Sequence, residues 1–306
     1  MKFAALAMAL AINLGSTLSS QADVLDVQEV TDGIWALVGP LEQRNAENLG
    51  NNATFGLIET TDGAVLIDPG SSVKGAAMID GVVKELTDQP VRYVVNTGGQ
   101  DHRWIGNAYW QAKGAQVIAA TSAVEDQQDR ASMQMTILSQ LIKDGLDGTT
   151  EAYADITFDD TYTLELGGKI LEIHHPAPAH TPGDSFVWLP DSDTLFAGDI
   201  VYVGRVLGIM SFSDSAEWIG AFEAIEALNP THLIPGHGPA TNMATARADT
   251  FDYLANLRLQ IGEHIDAGGD IIRSVDVDQS AFVYLDQFDA LAGRNAQAVF
   301  EQMEWE

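Results

Sequence analysis

The sequence HHPAPAHTPGDSFVWLPDSDTLFAGDI, residues 174–200, contains two loops of unusual composition. The first loop carries His180 in Ala-His-Thr-Pro-Gly, and the second carries Asp199 in Ala-Gly-Asp, directly after an apolar run that ends at Phe196. Loops of this kind at strand ends let a rigid sheet direct side chains toward one point. An imidazole and a carboxylate in two such loops are therefore candidate ligands of one metal ion.

Two further loops continue this pattern, each directly after a predicted strand. Asp101 and His102 are adjacent in one of them, and His237 lies in Pro-Gly-His-Gly at 235–238 in the other. A single histidine of this kind is more often a surface or hydrogen-bonded residue, and Gly-His-Gly alone is a turn. Four such loops in one chain predict converging imidazoles and carboxylates with an open position for water.

In their order along the chain, these four loops resemble the motifs of the metallo-β-lactamase superfamily. The resemblance runs from about Asp32 to Pro239 and includes the Asp-Pro-Gly turn at 68–70 and the Val-Asn-Thr run at 95–97. It implies a fold of the α/β (α+β) class, the αββα sandwich with a metal site at the sheet edges. The helical pattern after Pro239 adds a helical C-terminal extension.

The resemblance also implies a cofactor and its ligands. The chain has no cysteine, so only histidine and carboxylate side chains remain for a zinc-type site. We expect one zinc ion rather than two, because the chain lacks the histidine pair that binds the family's first metal. Its implied ligands are His102, His180, Asp199 and His237.

The chain departs from the family's pattern in the loop that leads to the first metal. The family reads His-x-His-x-Asp-His after Asn-Thr, whereas this chain reads NTGGQDHR at 96–103. An alignment that matches the Asp-His pair places Thr97 and Gly99 at the two first-metal histidines. A gapless alignment places Gly98 and Gln100 there instead.

The gapless alignment places His102 at the family's aspartate and Arg103 at its final histidine. We favour it, because a strand-to-helix loop tolerates substitution better than a bulge beside a fixed site. In both alignments the histidine pair is absent, while His102 remains near the second metal.

Two neighbouring residues are candidates for other roles in the site. We expect Asp101 to be catalytic, orienting a water molecule or accepting its proton. Arg103, if it faces the cleft, would bind an anionic group of the substrate; the other interpretation is a surface ion pair.

The composition limits the class of protein. The 306 residues include 15 basic and 44 acidic side chains, which give a formal charge of −29. This charge repels phosphate backbones, so nucleic acid is not an expected partner. Without cysteine, neither disulfide bonds nor thiolate chemistry is available to the chain.

Residues 1–22 have the pattern of a secretory signal peptide, with Lys2, an apolar stretch from Phe3 to Leu14, and a small-x-small cleavage site ending at Ala22. The apolar stretch is shorter than the roughly 20 residues that span a bilayer, so a retained anchor is the lesser alternative. We expect a soluble periplasmic or secreted protein without membrane association after cleavage. The expected organisation is the signal peptide at 1–22, the sandwich domain at 23–240, and an extension at 241–306 packed on the same domain.

Taken together, these features predict an exported zinc-dependent hydrolase. Its substrate would be a small molecule with an ester, thioester, lactone or β-lactam-type bond, cleaved by a metal-activated water. The alternative is a non-catalytic binding protein that keeps the sandwich around a degenerate metal site. The sequence leaves the substrate, the oligomeric state and the choice between these alternatives open.

Overall fold

The computed structural model describes residues 24–306, so the predicted signal peptide lies outside the described residues. A seven-stranded sheet follows the order of the chain, antiparallel over its first four strands and parallel over the rest. Thr-Asp-Gly at 31–33 and at 61–63 predicts two hairpin turns, and these turns link β1 to β2 and β3 to β4. The strands are β1 (Asp26–Thr31), β2 (Ile34–Val38), β3 (Thr54–Thr60), β4 (Gly63–Ile67), β5 (Val91–Asn96), β6 (Gln116–Ala120) and β7 (Ile156–Phe158).

The parallel strands are connected by helices, as parallel connections require. These helices are α1 (Val73–Leu86), α2 (Asn107–Ala112) and α3 (Thr121–Leu141). The sequence pattern from Trp104 to Lys113 predicts a helix that begins at Trp104, and this start is wrong. Residues 101–103 form a short 3₁₀ turn, and the Gly106 amide donates to the Gly70 carbonyl at 2.8 Å, so the regular helix begins only at Asn107.

The second sheet has five strands in the spatial order β12-β11-β10-β9-β8. Only the β11–β12 pair is parallel, and α4 (Ser215–Leu228) connects its two strands. The predicted β10–β11 hairpin is confirmed. The strands are β8 (Thr161–Leu166), β9 (Lys169–His174), β10 (Phe186–Leu189), β11 (Thr194–Phe196) and β12 (His232–Ile234).

The inner faces of the two sheets form one apolar core. Ile58, Val65 and Val95 of the first sheet share it with Val187 and Phe196 of the second. Helices cover both outer faces, so the αββα sandwich is confirmed. Burial of this apolar surface is the main stabilising contribution, since no disulfide bond supports the fold.

The C-terminal helices pack against the outer side of the second sheet. After α5 (Met243–Ala246) and a short π-helical turn, α6 (Asp252–Asp266) and α7 (Phe288–Met303) complete the fold. Their buried apolar residues belong to the same cluster as Trp218 and Phe222 of α4. Among residues 24–306, none of the helices is long and apolar enough to cross a membrane.

The sandwich brings the four loops of interest to one edge. Strands β5, β9, β11 and β12 end immediately before them. Backbone hydrogen bonds hold these loops. Within the second sheet, the Ala197 amide donates to the Ile234 carbonyl at 2.8 Å. Between the sheets, the Thr54 amide of β3 donates to the Gly236 carbonyl at 2.7 Å. The loops are therefore held by both sheets.

Contact between the sheets makes Gly56 sensitive to substitution. A Cβ at this position would collide with the Phe196 ring, so we expect Gly56→Ala to destabilise the protein by about 1–3 kcal/mol through overpacking. Urea unfolding measures this change. Gly220→Ala is the control, because a Cβ at this exposed position of α4 meets no atom within 4 Å, and alanine there stabilises a helix by up to about 1 kcal/mol. Equal unfolding midpoints for the two variants would contradict this account of the sheet packing.

Candidate metal centre

The structure brings three of the predicted ligands together. One donor atom from each of His102, Asp199 and His237 lies within 4.8 Å of the other two, and all three residues are buried. His102 Nε2 is 3.3 Å from Asp199 Oδ2, and His237 Nε2 is 3.3 Å from Asp199 Oδ1. Three loops that are far apart in the sequence thus supply one compact group of nitrogen and oxygen donors.

Close contact between two glycines positions Asp199 and His237. A Cβ at Gly236 would collide with the Gly198 carbonyl, and Gly198 itself has a left-handed φ of +53°. Larger residues would push the two loops apart. The glycines beside the two ligands therefore set the distance between them.

The tautomer of His237 is determined by a backbone carbonyl. Its Nδ1 lies 2.8 Å from the Asn52 oxygen, which can only accept, so Nδ1 carries the proton. Burial lowers the pKa of His237 well below its ordinary value, so the ring is neutral and Nε2 presents a lone pair to Asp199. Two acceptors that face each other at 3.3 Å repel, and a cation between them removes this conflict.

The donor set satisfies the chemistry of a catalytic zinc site. Two imidazoles and one carboxylate leave a fourth position open, as in mononuclear zinc enzymes. The ring of Tyr202 stacks on His237 with a centroid distance of 4.5 Å and restricts its orientation. The residues present therefore fit a single divalent cation.

Asp101 supports His102 from the opposite side of the imidazole. Its Oδ1 accepts the His102 amide at 2.8 Å and lies 3.2 Å from the ring Nδ1, while Oδ2 pairs with Arg44. Burial alone would raise the pKa of Asp101, but the Arg44 charge and His102 lower it below its ordinary value. A carboxylate in this place orients a metal-binding imidazole. The catalytic role of Asp101 stays a prediction.

His180 lies in the same cavity but outside the group of three. Its Nδ1 is 2.8 Å from the Gly208 carbonyl, and its ring is surrounded by Tyr202, Phe212 and Trp218. Burial lowers its pKa to about 4, which leaves a neutral ring with Nε2 as the acceptor. Its role as a ligand stays a prediction.

Arg103 does not have the role suggested from the sequence. It is fully buried, and all five N–H groups are used within the protein: Nε and Nη2 donate to Asp199, Nη1 donates to Asp68 and the Thr54 carbonyl, and Nη2 also donates to the Gly236 carbonyl. The expectation that Arg103 binds substrate is therefore corrected. Its single positive charge lies between two buried carboxylates, Asp68 and Asp199, which need a counter-charge in the interior.

The charge of Arg103 controls the state of Asp199. Burial alone would raise the pKa of Asp199, but the guanidinium lowers it well below its ordinary value, so the carboxylate is ionised. Asp68 shares the same guanidinium, and burial raises its pKa. One positive charge thus faces two acidic groups, so the balance of charge favours a further cation beside Asp199.

Side chains of α3 hold the loop in which the family has its histidine pair. Gln127 Nε2 donates to the Gly98 carbonyl at 3.0 Å, and Gln134 Nε2 and Arg130 Nη2 donate to the Gly99 carbonyl at 2.8 and 3.1 Å. A Cβ at Gly98 or Gly99 would collide with an aspartate carboxylate. A side chain at Gly98 would require the Asp184 carboxylate to move, and one at Gly99 would require the Asp126 carboxylate to move.

The role of these α3 residues in holding the loop was not predicted from the sequence. The only available signal was the spacing of Gln127, Arg130 and Gln134, which places them on one face of the predicted helix.

A cavity of about 300 Å³ lies beside the three donors. Histidine, arginine and apolar side chains line it together with Asp101. Its lining includes Arg44, Arg130, Arg205, Arg294, Met133, Ile137, Met210, Phe212 and Leu291.

Comparison with known protein families gives one domain match. The model of the metallo-beta-lactamase superfamily matches residues 50–237, which is more than half of the chain. A beta-lactamase-like protein 2 homolog of Caenorhabditis elegans is 29% identical over 93 residues, 30% of this chain and 30% of that protein's length. A metallo-beta-lactamase type 2 of Bacteroides fragilis is 23% identical over 227 residues, 71% of this chain and 80% of its own length.

Solved structures share the fold. A metallo-beta-lactamase from Pontibacter korlensis superposes with a TM-score of 0.62 at 22% identity, over 76% of this chain and 99% of its own. The FIM-1 metallo-beta-lactamase from Pseudomonas aeruginosa, solved in a mono-zinc form, gives 0.58 at 23% identity, over 74% and 93% of the two chains. At these identities the likeness establishes the fold alone.

The geometry predicts that zinc binding depends on Asp199 and His237. We expect Asp199→Asn and His237→Ala each to weaken zinc binding by about a hundredfold or more, because each removes one of three donors. Titration against a chromogenic chelator measures the affinity. The control His264→Gln changes a histidine of α6 outside this site and should keep the affinity. Unchanged affinity in both ligand variants would show that zinc binds elsewhere.

Proposed function

The chain belongs to the metallo-β-lactamase superfamily, and we propose that it is a metal-dependent hydrolase of small molecules. Members of this superfamily are generally metal-dependent hydrolases. The proposed reaction is cleavage of an ester, thioester, lactone or β-lactam-type bond. The observation that carries this proposal is the buried convergence of His102, Asp199 and His237, whose donor atoms lie within 4.8 Å of one another.

The proposed cofactor is one zinc ion held by His102, Asp199 and His237. Imidazole nitrogen favours zinc over the hard cations calcium and magnesium. One ion rather than two is supported by the missing histidine pair, since the two alignments place Thr97 and Gly99, or Gly98 and Gln100, at its positions. The mono-zinc form of FIM-1 is a precedent within the fold. When bound, the ion would polarise a carbonyl group and lower the pKa of water toward about 7.

The chain's own residues prepare this chemistry. Arg103 holds the Asp199 carboxylate in one orientation, and the Asn52 carbonyl holds His237 in the tautomer that leaves Nε2 free. Asp101 orients His102, so we propose a positioning role for it alongside the predicted catalytic one.

Hydrolysis by the zinc-loaded protein tests the proposal. We expect turnover of at least one member of a panel containing p-nitrophenyl acetate, nitrocefin, acetylthiocholine and γ-thiobutyrolactone. Chelation should reduce the rate by about a hundredfold or more, and added zinc should restore it. Zinc should fail to restore Asp199→Asn, while His264→Gln should behave like the unmodified protein.

The competing proposal is a non-catalytic binding protein, which the missing first-metal histidines favour. It predicts no hydrolysis of the panel by protein that contains one zinc per chain. It also predicts that His237→Ala leaves ligand binding intact. Zinc-dependent turnover that is lost in Asp199→Asn excludes this alternative.

We also propose that the protein is exported and acts in the periplasm or outside the cell, without nucleic acid or membrane partners. The pattern of residues 1–22 and the charge of −29 support this proposal. Fractionation of a Gram-negative host and intact mass measurement test it. We expect a chain that begins near Asp23 in the periplasmic fraction, and a full-length chain confined to the cytosol would contradict export.

A further inference from the structure

Arg205 lines the cavity as a buried cation without a counter-ion. The residue is only 4% exposed, yet its Nε and Nη1 atoms have no hydrogen-bond partner among residues 24–306. A buried guanidinium in this state is costly, because it loses hydration and gains no compensating contact. An anion that enters the cavity would supply this contact.

Three other buried or half-buried arginines in or beside the cavity are compensated, whereas Arg294 is exposed to solvent. Arg44 pairs with Asp101, Arg130 pairs with Asp126, and Arg103 pairs with two aspartates. The chain contains 44 acidic side chains, so a partner for Arg205 would be easy to supply. The absence of one at this buried position indicates that the charge is available for a ligand.

The neighbouring backbone holds Arg205 in place. The Val206 amide donates to the Asp286 carbonyl at 2.9 Å, and the Asp286 amide donates to the Gly204 carbonyl at 2.9 Å. Asn295 of α7 accepts the Ile209 amide at 2.9 Å and donates to the Leu207 carbonyl at 2.8 Å. The C-terminal extension therefore fixes the loop 204–209. This extension lies beyond residues 50–237, which the superfamily model matches.

Asp286 is exposed, and its backbone pairs with that of Arg205. The Asp286 side chain accepts from Gln287 and forms no ion pair with Arg205 within the described part of the chain. Apolar side chains on the same cavity wall stay partly exposed, namely Met133 and Ile137 of α3 and Met210, at 47%, 40% and 37%. A buried cation beside an open apolar surface suits a ligand with one anionic end and an apolar body.

We propose that the cavity binds the carboxylate of an amphiphilic organic acid at Arg205, with the apolar part of that molecule on Met133, Ile137 and Met210. If the proposed hydrolase function holds, its substrates are acyl compounds that carry a carboxylate besides the bond that is cleaved. Arg294 of α7 also lines the cavity and adds positive charge at its wall. The size of the cavity, about 300 Å³, limits this ligand to a small molecule.

Calorimetric titration with 4-phenylbutyrate and its uncharged isostere 4-phenylbutyramide tests the anion site. Both zinc-loaded and zinc-free protein are used, because a carboxylate also binds zinc directly. In both forms we expect the acid to bind about tenfold or more tightly than the amide. Arg205→Met should abolish this preference, and Arg205→Lys, which keeps the charge without the planar fork, should keep part of it.

Arg273→Met is the matched control, because Arg273 is exposed and lies outside the cavity lining, so the preference should be unchanged. Equal binding of acid and amide to the unmodified protein overturns the inference even if the Arg205 variants fail to fold. A preference that survives in folded Arg205→Met overturns it as well. If the protein prefers the acid but shows no zinc-dependent hydrolysis, the anion site is supported and the hydrolase proposal is contradicted. If it shows zinc-dependent hydrolysis but does not prefer the acid, the hydrolase proposal is supported and the anion site is contradicted.

Discussion

The site depends on one buried ion group, in which Arg103 lies between Asp68 and Asp199. Asp68 follows a strand of the first sheet and Asp199 follows a strand of the second, so the guanidinium joins the two halves of the sandwich. Removing one partner from such a group typically costs about 3–5 kcal/mol, because a charge is left buried and uncompensated. The same contacts fix the Asp199 carboxylate toward both imidazoles. Stability of the sandwich and geometry of the metal centre therefore rest on the same side chain.

Much of this arrangement could be predicted from the sequence. Apolar periodicity and Asp-Gly turns predict most of the strands and helices. The Gly-rich loops indicate His102, Asp199 and His237 as metal ligands, although they do not show that these residues converge. The role of Arg103 could not be predicted, because burial of a charged side chain depends on which carboxylates lie near it in three dimensions. The start of α2 was placed too early, since the Gly70 carbonyl that receives the Gly106 amide is remote in sequence.

The loss of the first-metal histidines is accompanied by a rebuilt environment. Polar side chains of α3 bind the carbonyl groups of Gly98 and Gly99, where the family pattern has metal ligands. A histidine at one of these glycines would require Asp126 or Asp184 to move and would still supply only one of the two histidines in the family pattern. The centre is thus organised for the remaining three donors.

The packing of the C-terminal helices has a consequence for how such proteins can be recombined. The apolar cluster around Trp218 of the sandwich also contains Leu254 and Leu257 of α6 and Val299 of α7. In addition, α7 forms a hydrogen bond with the loop 204–209, which lines the cavity. A chimera joined near residue 240 would divide this cluster between two parents and pair a foreign helix with the wall of the cavity. Exchange of the extension between relatives would consequently alter folding yield and ligand preference together.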